Sequence, residues 1–204
     1  MAVYTKITQQ DIDYLFQDYN GIEQIKGIVE GVENTNYLVN TKNQNKFIFT
    51  IFEKRTKRSD LPFFHKAMSE FNHKGIACPT PITVNENNIF NIKEKPCAIY
   101  SFIEGNQIQS LNNDAMGSLA KNISTIHHIG AQSELYRENN MLLPSWKYII
   151  NKFNDYDGEN ISEFTYIKNL ISSLESQFPQ NLKKSLIHGD LFKDNIFFKT
   201  NYVS

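Results

Sequence analysis

Only two cysteines, Cys78 and Cys97, occur among the 204 residues. They lack zinc-ligand spacing and are too few to staple a fold of this size, which excludes a disulfide framework and points to reduced thiols in a cytosol, both packed in a core. Neither sign of charge is in excess. Twenty-one Lys and Arg stand against 22 Asp and Glu, a formal charge of -1, so no basic face large enough for nucleic acid is expected and any bound anion must be held locally. Long apolar runs are missing too: the most apolar stretch, Cys97 to Ile103, is far too short to span a bilayer, and the N-terminus reaches Asp11 and Asp13 without one. A soluble, cytoplasmic protein without a membrane partner is the expectation. Alanine is sparse and asparagine abundant, yet periodic apolar segments continue along the chain, which argues against low-complexity disorder, and no internal repeat is present.

What is present is enough apolar material, 40% of residues with 13% aromatic, for one core or two small lobes. Thr8 is placed to cap a helix carrying Ile12, Leu15, Phe16 and Tyr19 on one stripe, with Gly21 as its end. Gln24 to Val29, Thr35 to Asn40 and Lys46 to Phe52 then read as an antiparallel meander. A helix follows from Ser59 or Asp60, with Pro62 in its first turn, Leu61, Phe64, Met68 and Phe71 on its apolar face, and Gly75 as the stop. Ile82 to Val84, a piece near Ile89-Phe90, and Ala98 to Phe102 complete a sheet of about five strands.

Beyond Glu104-Gly105 the pattern turns helical. Met116, Leu119, Ala120, Ile123 and His127 form one stripe, Trp146, Ile149, Ile150 and Phe153 a second, and Phe164, Ile167, Ile171, Leu174 and Phe178 a third that Pro179 ends before the strand-like Leu186-Ile187. The fold class is therefore α+β, a small antiparallel-sheet lobe over residues 1–103 followed by a mainly helical lobe over residues 104–204.

Chemistry concentrates in His188-Gly189-Asp190-Leu191-Phe192-Lys193-Asp194-Asn195, a polar loop read here as lying between two buried strands, Leu186-Ile187 and Ile196-Phe197-Phe198. Phosphoryl transfer to a hydroxyl needs a carboxylate to orient the nucleophile and accept its proton, and an oxygen a few residues on to hold the metal that neutralises the phosphates. Asp190 suits the first role and Asn195 the second. The bland alternative is an ordinary polar turn capped by Asn195.

The H-G-D-L-x-x-x-N pattern resembles the catalytic loop of aminoglycoside phosphotransferases, choline kinases and their relatives. Within that superfamily, Gly31-Val32-Glu33-Asn34-Thr35-Asn36-Tyr37, Thr50-Ile51-Phe52-Glu53-Lys54-Arg55, Leu61-Pro62-Phe63-Phe64 and Cys78-Pro79-Thr80-Pro81-Ile82 resemble the bacterial homoserine kinases. The resemblance implies a two-lobed, protein-kinase-like fold, ATP and Mg²⁺ as cofactors, L-homoserine as the small-molecule substrate, and O-phospho-L-homoserine for threonine synthesis as the product. It implies a turn over the ATP phosphates at Gly31, Asn34, Thr35 and Asn36, although the same residues serve equally as a ligand-free hairpin turn. It likewise implies that backbone groups of Ser101 to Ile103 meet adenine, where an edge strand entering a linker reads as well.

Where most kinases place a phosphate-binding Lys, this chain has Thr50, leaving Lys54, Arg55 and Lys193 as candidates, each equally readable as a solvated charge. Choline and aminoglycoside kinases, or a non-catalytic remnant, are the rival readings. In related folds a further metal-binding Asp ends the strand that pairs with Ile196 to Phe198. With Lys199-Thr200-Asn201 as the hairpin turn, that Asp is expected beyond Ser204, so the 204 residues alone are expected to fall short of a competent kinase.

Overall fold

Thr8 enters the first helix, α1 (Gln9–Ile12), from extended backbone (φ −107°, ψ 167°), and the Asp11 carboxylate accepts both its N–H at 2.7 Å and its hydroxyl at 2.9 Å. The spacing predicts one helix running to Gly21. Instead the chain tightens after Ile12 into a 3-10 helix, Asp13–Tyr19, bent at Phe16 (φ −118°, ψ 19°) and closed by Asn20 in the left-handed region (φ 61°). Three residues per turn bring Phe16 and Tyr19 onto the same ring, Phe47, with centroids 5.7 and 4.6 Å away. Packing thus overrides the propensity to continue as α-helix. The computed structural model describes residues 3–31, 33–153, 161–179, 181–200 and 202–203, so Val32, Asn201 and Ser204, named above, lie outside the described residues.

The sheet comprises β1 (Ile22–Ile28), β2 (Thr35–Thr41), β3 (Lys46–Ile51), β4 (Phe90–Ile92) and β5 (Lys95–Ser101). All pairings are antiparallel and the order is β1-β2-β3-β5-β4. Alternation along β2 buries Thr35, Tyr37, Val39 and Thr41 against a core that includes Ile12, Phe16, Phe49 and Ile51, each large apolar member contributing about 1.5–3 kcal/mol. The strand expected at Ile82 to Val84 does not form. Only isolated bridges, Pro81 to Tyr100 and Val84 to Asn87, occur there, because Pro79 and Pro81 have no N–H to give a ladder.

Between β3 and β4 runs α2 (Leu61–His73), with Pro62 in its first turn as expected. Its Leu61 is fully buried with Phe52, Ala98 and Tyr100. His65 on the same helix is 3% exposed, with Nε2 2.8 Å from the Tyr100 hydroxyl and Nδ1 3.1 Å from Asn88 Oδ1. An amide oxygen only accepts, so Nδ1 carries the proton and Nε2 receives the Tyr100 hydroxyl. Burial lowers the His65 pKa from its ordinary 6.5, the Asn88 bond opposing it, and burial likewise pushes Tyr100 far up. The unfolded chain takes up a proton at His65 that the folded chain resists, so this contribution to stability is complete above pH 6.5 and is lost as pH falls below it. The parent should therefore lose Tm between pH 7 and pH 5, and His65→Gln should flatten that slope. An unchanged slope would assign the dependence elsewhere.

The residues before α1 form a strap across β2. Tyr4 N and Thr5 N donate to Thr35 Oγ1 at 2.9 and 3.2 Å, the Thr35 hydroxyl donates to Glu53 Oε1 at 2.6 Å, and the Tyr37 hydroxyl donates to the Thr5 carbonyl at 2.9 Å. Lys95 closes the group with an ion pair to Glu53. Burial alone would raise the Glu53 pKa, but hydrogen bonds from Lys95, Thr35 and Thr5 and the Lys95 charge hold it below the ordinary value.

The chain divides into two compact units, residues 1–135 with 185–204 and residues 136–184. In the first, α3 (Asn113–Gln132) is capped by Asn112, whose Oδ1 accepts Ala115 N–H at 2.9 Å. Ala115 is buried against Ile196 and Phe198, which lead into the expected hairpin of β6 (Phe198–Lys199) and β7 (Tyr202–Val203). Leu186-Ile187, expected as a buried strand, is unpaired chain with Ile187 62% exposed. A single long bond, Leu186 N to Gly130 O at 3.4 Å, does not make a ladder. The second unit holds α4 (Leu143–Phe153) and α5 (Ile161–Gln177), joined by Phe153 on Phe164 and by a Lys147–Glu175 ion pair. Among the described residues no helix is long and apolar enough to cross a membrane.

Candidate active site

The loop that follows Leu186-Ile187 is shaped by three local devices. Gly189 takes a left-handed backbone (φ +78°), a conformation that costs other residues energy, and so turns the chain between His188 and Asp190. Residues Lys193–Asn195 then wind into one 3-10 turn, with Asn195 N donating to the Phe192 carbonyl at 2.9 Å. Gln107 Nε2 holds the turn from outside through the Asp194 carbonyl at 3.0 Å. The result brings together the side chain expected to be catalytic, Asp190, and the one expected to hold the metal, Asn195. Asn195 Nδ2 donates to Asp190 Oδ2 and to the Asp190 carbonyl, both at 2.9 Å, and both residues are exposed.

Beside this loop, and within the same unit, lies a cleft of about 550 Å³. Its walls are mostly apolar, drawn from α2 and α3, with Thr50, Tyr100, Asn122, His188 and Asn195 as the polar exceptions. A mainly apolar cavity of this size with a few convergent polar groups is what a small-molecule or cofactor site requires. Ile103 is on its wall and makes no backbone hydrogen bond among the described residues. Ser101 is differently placed. Its N–H pairs with the Thr80 carbonyl and its hydroxyl accepts Thr80 N–H, both at 2.9 Å.

The residues of the first turn also part company. Asn36 faces the cleft side of the sheet, where its Oδ1 accepts the Thr50 hydroxyl at 2.8 Å. Thr35 points to the other face, fully buried as the anchor of the N-terminal strap. Gly31 is exposed with open space around it, and Asn34 is half-buried. Cys97 is buried, its thiol pushed up to about 12 by that burial, whereas Cys78 is half-buried on the cleft wall.

One residue of the site escaped the sequence reading. Gly130 lies buried in α3 where the chain leading into the loop crosses it, and a Cβ there would meet the Leu186 carbonyl oxygen at 2.2 Å. The available signal was a glycine inside a helical stripe, a costly choice unless another backbone passes close by.

Residues 24–204 match the profile of the phosphotransferase enzyme family. The chain belongs to that family. A homoserine kinase of Bartonella tribocorum is 33% identical over 208 residues, covering 100% of this chain and 65% of its own length. Another, of Paramagnetospirillum magneticum, is 35% identical over 202 residues, covering 97% of this chain and 62% of its own. The chain thus spans less than two thirds of these relatives. Among solved structures, a spectinomycin phosphotransferase in complex with ADP and spectinomycin aligns with a TM-score of 0.68 at 17% identity, over 98% of this chain and 69% of that one. An amicoumacin kinase in complex with AMP-PNP, Ca²⁺ and Ami aligns with a TM-score of 0.72 at 15% identity, over 89% and 57%. The fold of this phosphotransferase family member is accordingly the kinase-like one.

Proposed function

We propose that residues 1–204 are the nucleotide-binding and catalytic-loop portion of a homoserine kinase, which transfers the γ-phosphoryl group of ATP to the side-chain hydroxyl of L-homoserine. The observation that carries the reading is the Asp190–Asn195 pair, hydrogen-bonded at 2.9 Å beside an apolar cleft. Identity to homoserine kinases along the whole chain favours homoserine over choline or an aminoglycoside. Asp190 is placed to orient the substrate hydroxyl and take its proton. Adenine would occupy the cleft against the open backbone of Ile103, with Ser101 just before it, and the turn at Gly31, Asn34 and Asn36 would cover the phosphates. Thr35 supports that turn from behind.

The loop fits a divalent ion. Asn195 uses its Nδ2 on Asp190 and keeps Oδ1, and Asp190 keeps Oδ1, both the hard oxygen donors that Mg²⁺ takes. When bound, the ion supplies neutralisation of the phosphate charge. This reading divides the chain near residue 103 into an ATP-binding lobe and a helical lobe, and places the protein in the cytoplasm.

The test is a chimera in which residues 1–204 replace the matching segment of the Bartonella tribocorum enzyme, assayed for ADP release with homoserine, choline, methylthioribose and kanamycin. Homoserine alone should stimulate release. Stimulation by another member of the panel, with none by homoserine, would replace the substrate assignment.

A further inference from the structure

We infer that Arg55 is the cation that receives the nucleotide phosphates, exchanging Glu33 for them when they arrive; this rests on the nucleotide reading above. Phosphates brought beside an apolar cleft need a positive partner, yet among the described residues no Lys or Arg lines that cleft. At the strand position that faces it, Thr50 donates its hydroxyl to Asn36, and a hydroxyl carries no charge. The cation must come from outside the walls.

Strand register shows where from. Thr35 lies opposite Ile51, so in this antiparallel pair the residues that follow β3 run beside those that precede β2. Lys54 and Arg55 are therefore carried to the turn at residues 31–34. Arg55 reaches it, for its Nη1 forms an ion pair with Glu33 of that turn. Other cations nearby are committed elsewhere. Lys95 is paired with Glu53, and Arg58 donates to the carbonyls of Ile89 and Phe90 and to Asn91. Lys54 and Lys193 form no ion pair with the turn among the described residues.

The exchange is energetically easy. Side chains 77% and 44% exposed make a pair that water already screens, so Glu33 holds Arg55 weakly. A guanidinium meets phosphate through two parallel N–H···O bonds of the charge-assisted kind, and a phosphate chain outbids one screened carboxylate. Glu33 thus keeps the guanidinium beside the turn until nucleotide binds.

The experiment is calorimetric titration of the chimera described above with ATP and with adenosine, in EDTA so that no metal bridges the phosphates. Arg55→Ala should weaken ATP binding about tenfold or more while leaving adenosine within about twofold. Arg55→Lys should fall between, and Glu33→Gln should bind ATP at least as tightly as the parent. Arg55 is mostly exposed, so folding of these variants is not at stake. ATP affinity unchanged in Arg55→Ala, equal losses for adenosine and ATP, or a loss confined to Lys54→Ala or Lys193→Ala would each overturn the assignment. A Glu33→Gln variant as weak as Arg55→Ala would overturn the exchange. If the parent bound neither ligand, the nucleotide reading itself would fall and take this inference with it.

Discussion

Asp190→Ala in the chimera is expected to lower kcat for homoserine by about 10² or more, the range set by loss of a general base, with little change in the KM for ATP. The split between the two constants follows from the loop. Asn195 Nδ2 is held by the Asp190 carbonyl as well as by its carboxylate, so removing the side chain leaves one of the two bonds that set the turn. Gly189 and the 3-10 turn at Lys193–Asn195 are untouched. Asp190→Asn sharpens the test, since its amide oxygen can still accept from Asn195 while having no useful basicity. Loss of kcat in both variants identifies proton transfer or nucleophile orientation by the carboxylate; parent-like turnover in either would remove Asp190 from the chemistry.

Gly130→Ala should destabilise the protein by about 3 kcal/mol or more, well beyond an ordinary small-to-large change. Two effects oppose each other at this position. Alanine is the better helix former by about 1 kcal/mol, which favours the variant. Against it stands a Cβ placed 2.2 Å from the Leu186 carbonyl oxygen and 3.0 Å from its carbon, where backbone rather than a flexible side chain must give way. The clash wins, and relief comes only by pushing the segment leading to His188 off α3. Chemical denaturation gives the sign directly. A stabilised Gly130→Ala would mean that the segment from Ser185 does not lie on this helix.

The helices after the first and the meander were readable because each carries its apolar residues at one period. Leu61, Phe64 and Met68 on α2 and the alternation along β2 report their own burial. That the Asp190 and Asn195 side chains meet was readable because a short loop alone brings them together. What failed depended on partners distant in sequence. Leu186-Ile187 has strand composition but no neighbour to pair with, and Ile82 to Val84 follows two prolines, Pro79 and Pro81, that interrupt the ladder. Thr35 belonged to the turn motif, yet its strand position turns it to the buried face, where Tyr4 and Thr5 are its partners. The His65–Tyr100 bond joins positions 35 apart and leaves no local trace.

The N-terminal strap has a consequence for the order in which the molecule assembles. Thr5 meets Thr35 thirty residues away, Glu53 forty-eight away and Lys95 ninety away. Closing loops of that length costs chain entropy before any of these bonds returns it, whereas β1, β2 and β3 are joined by short turns and can pair early. The strap, although it precedes every strand in the chain, is thus among the last parts of this unit to find its place. In pulse-labelled refolding, the amides of Tyr4 and Thr5 should gain protection after those of β2, and the surface they cover on Thr35 and Tyr37 stays open to water until β5 has joined the sheet.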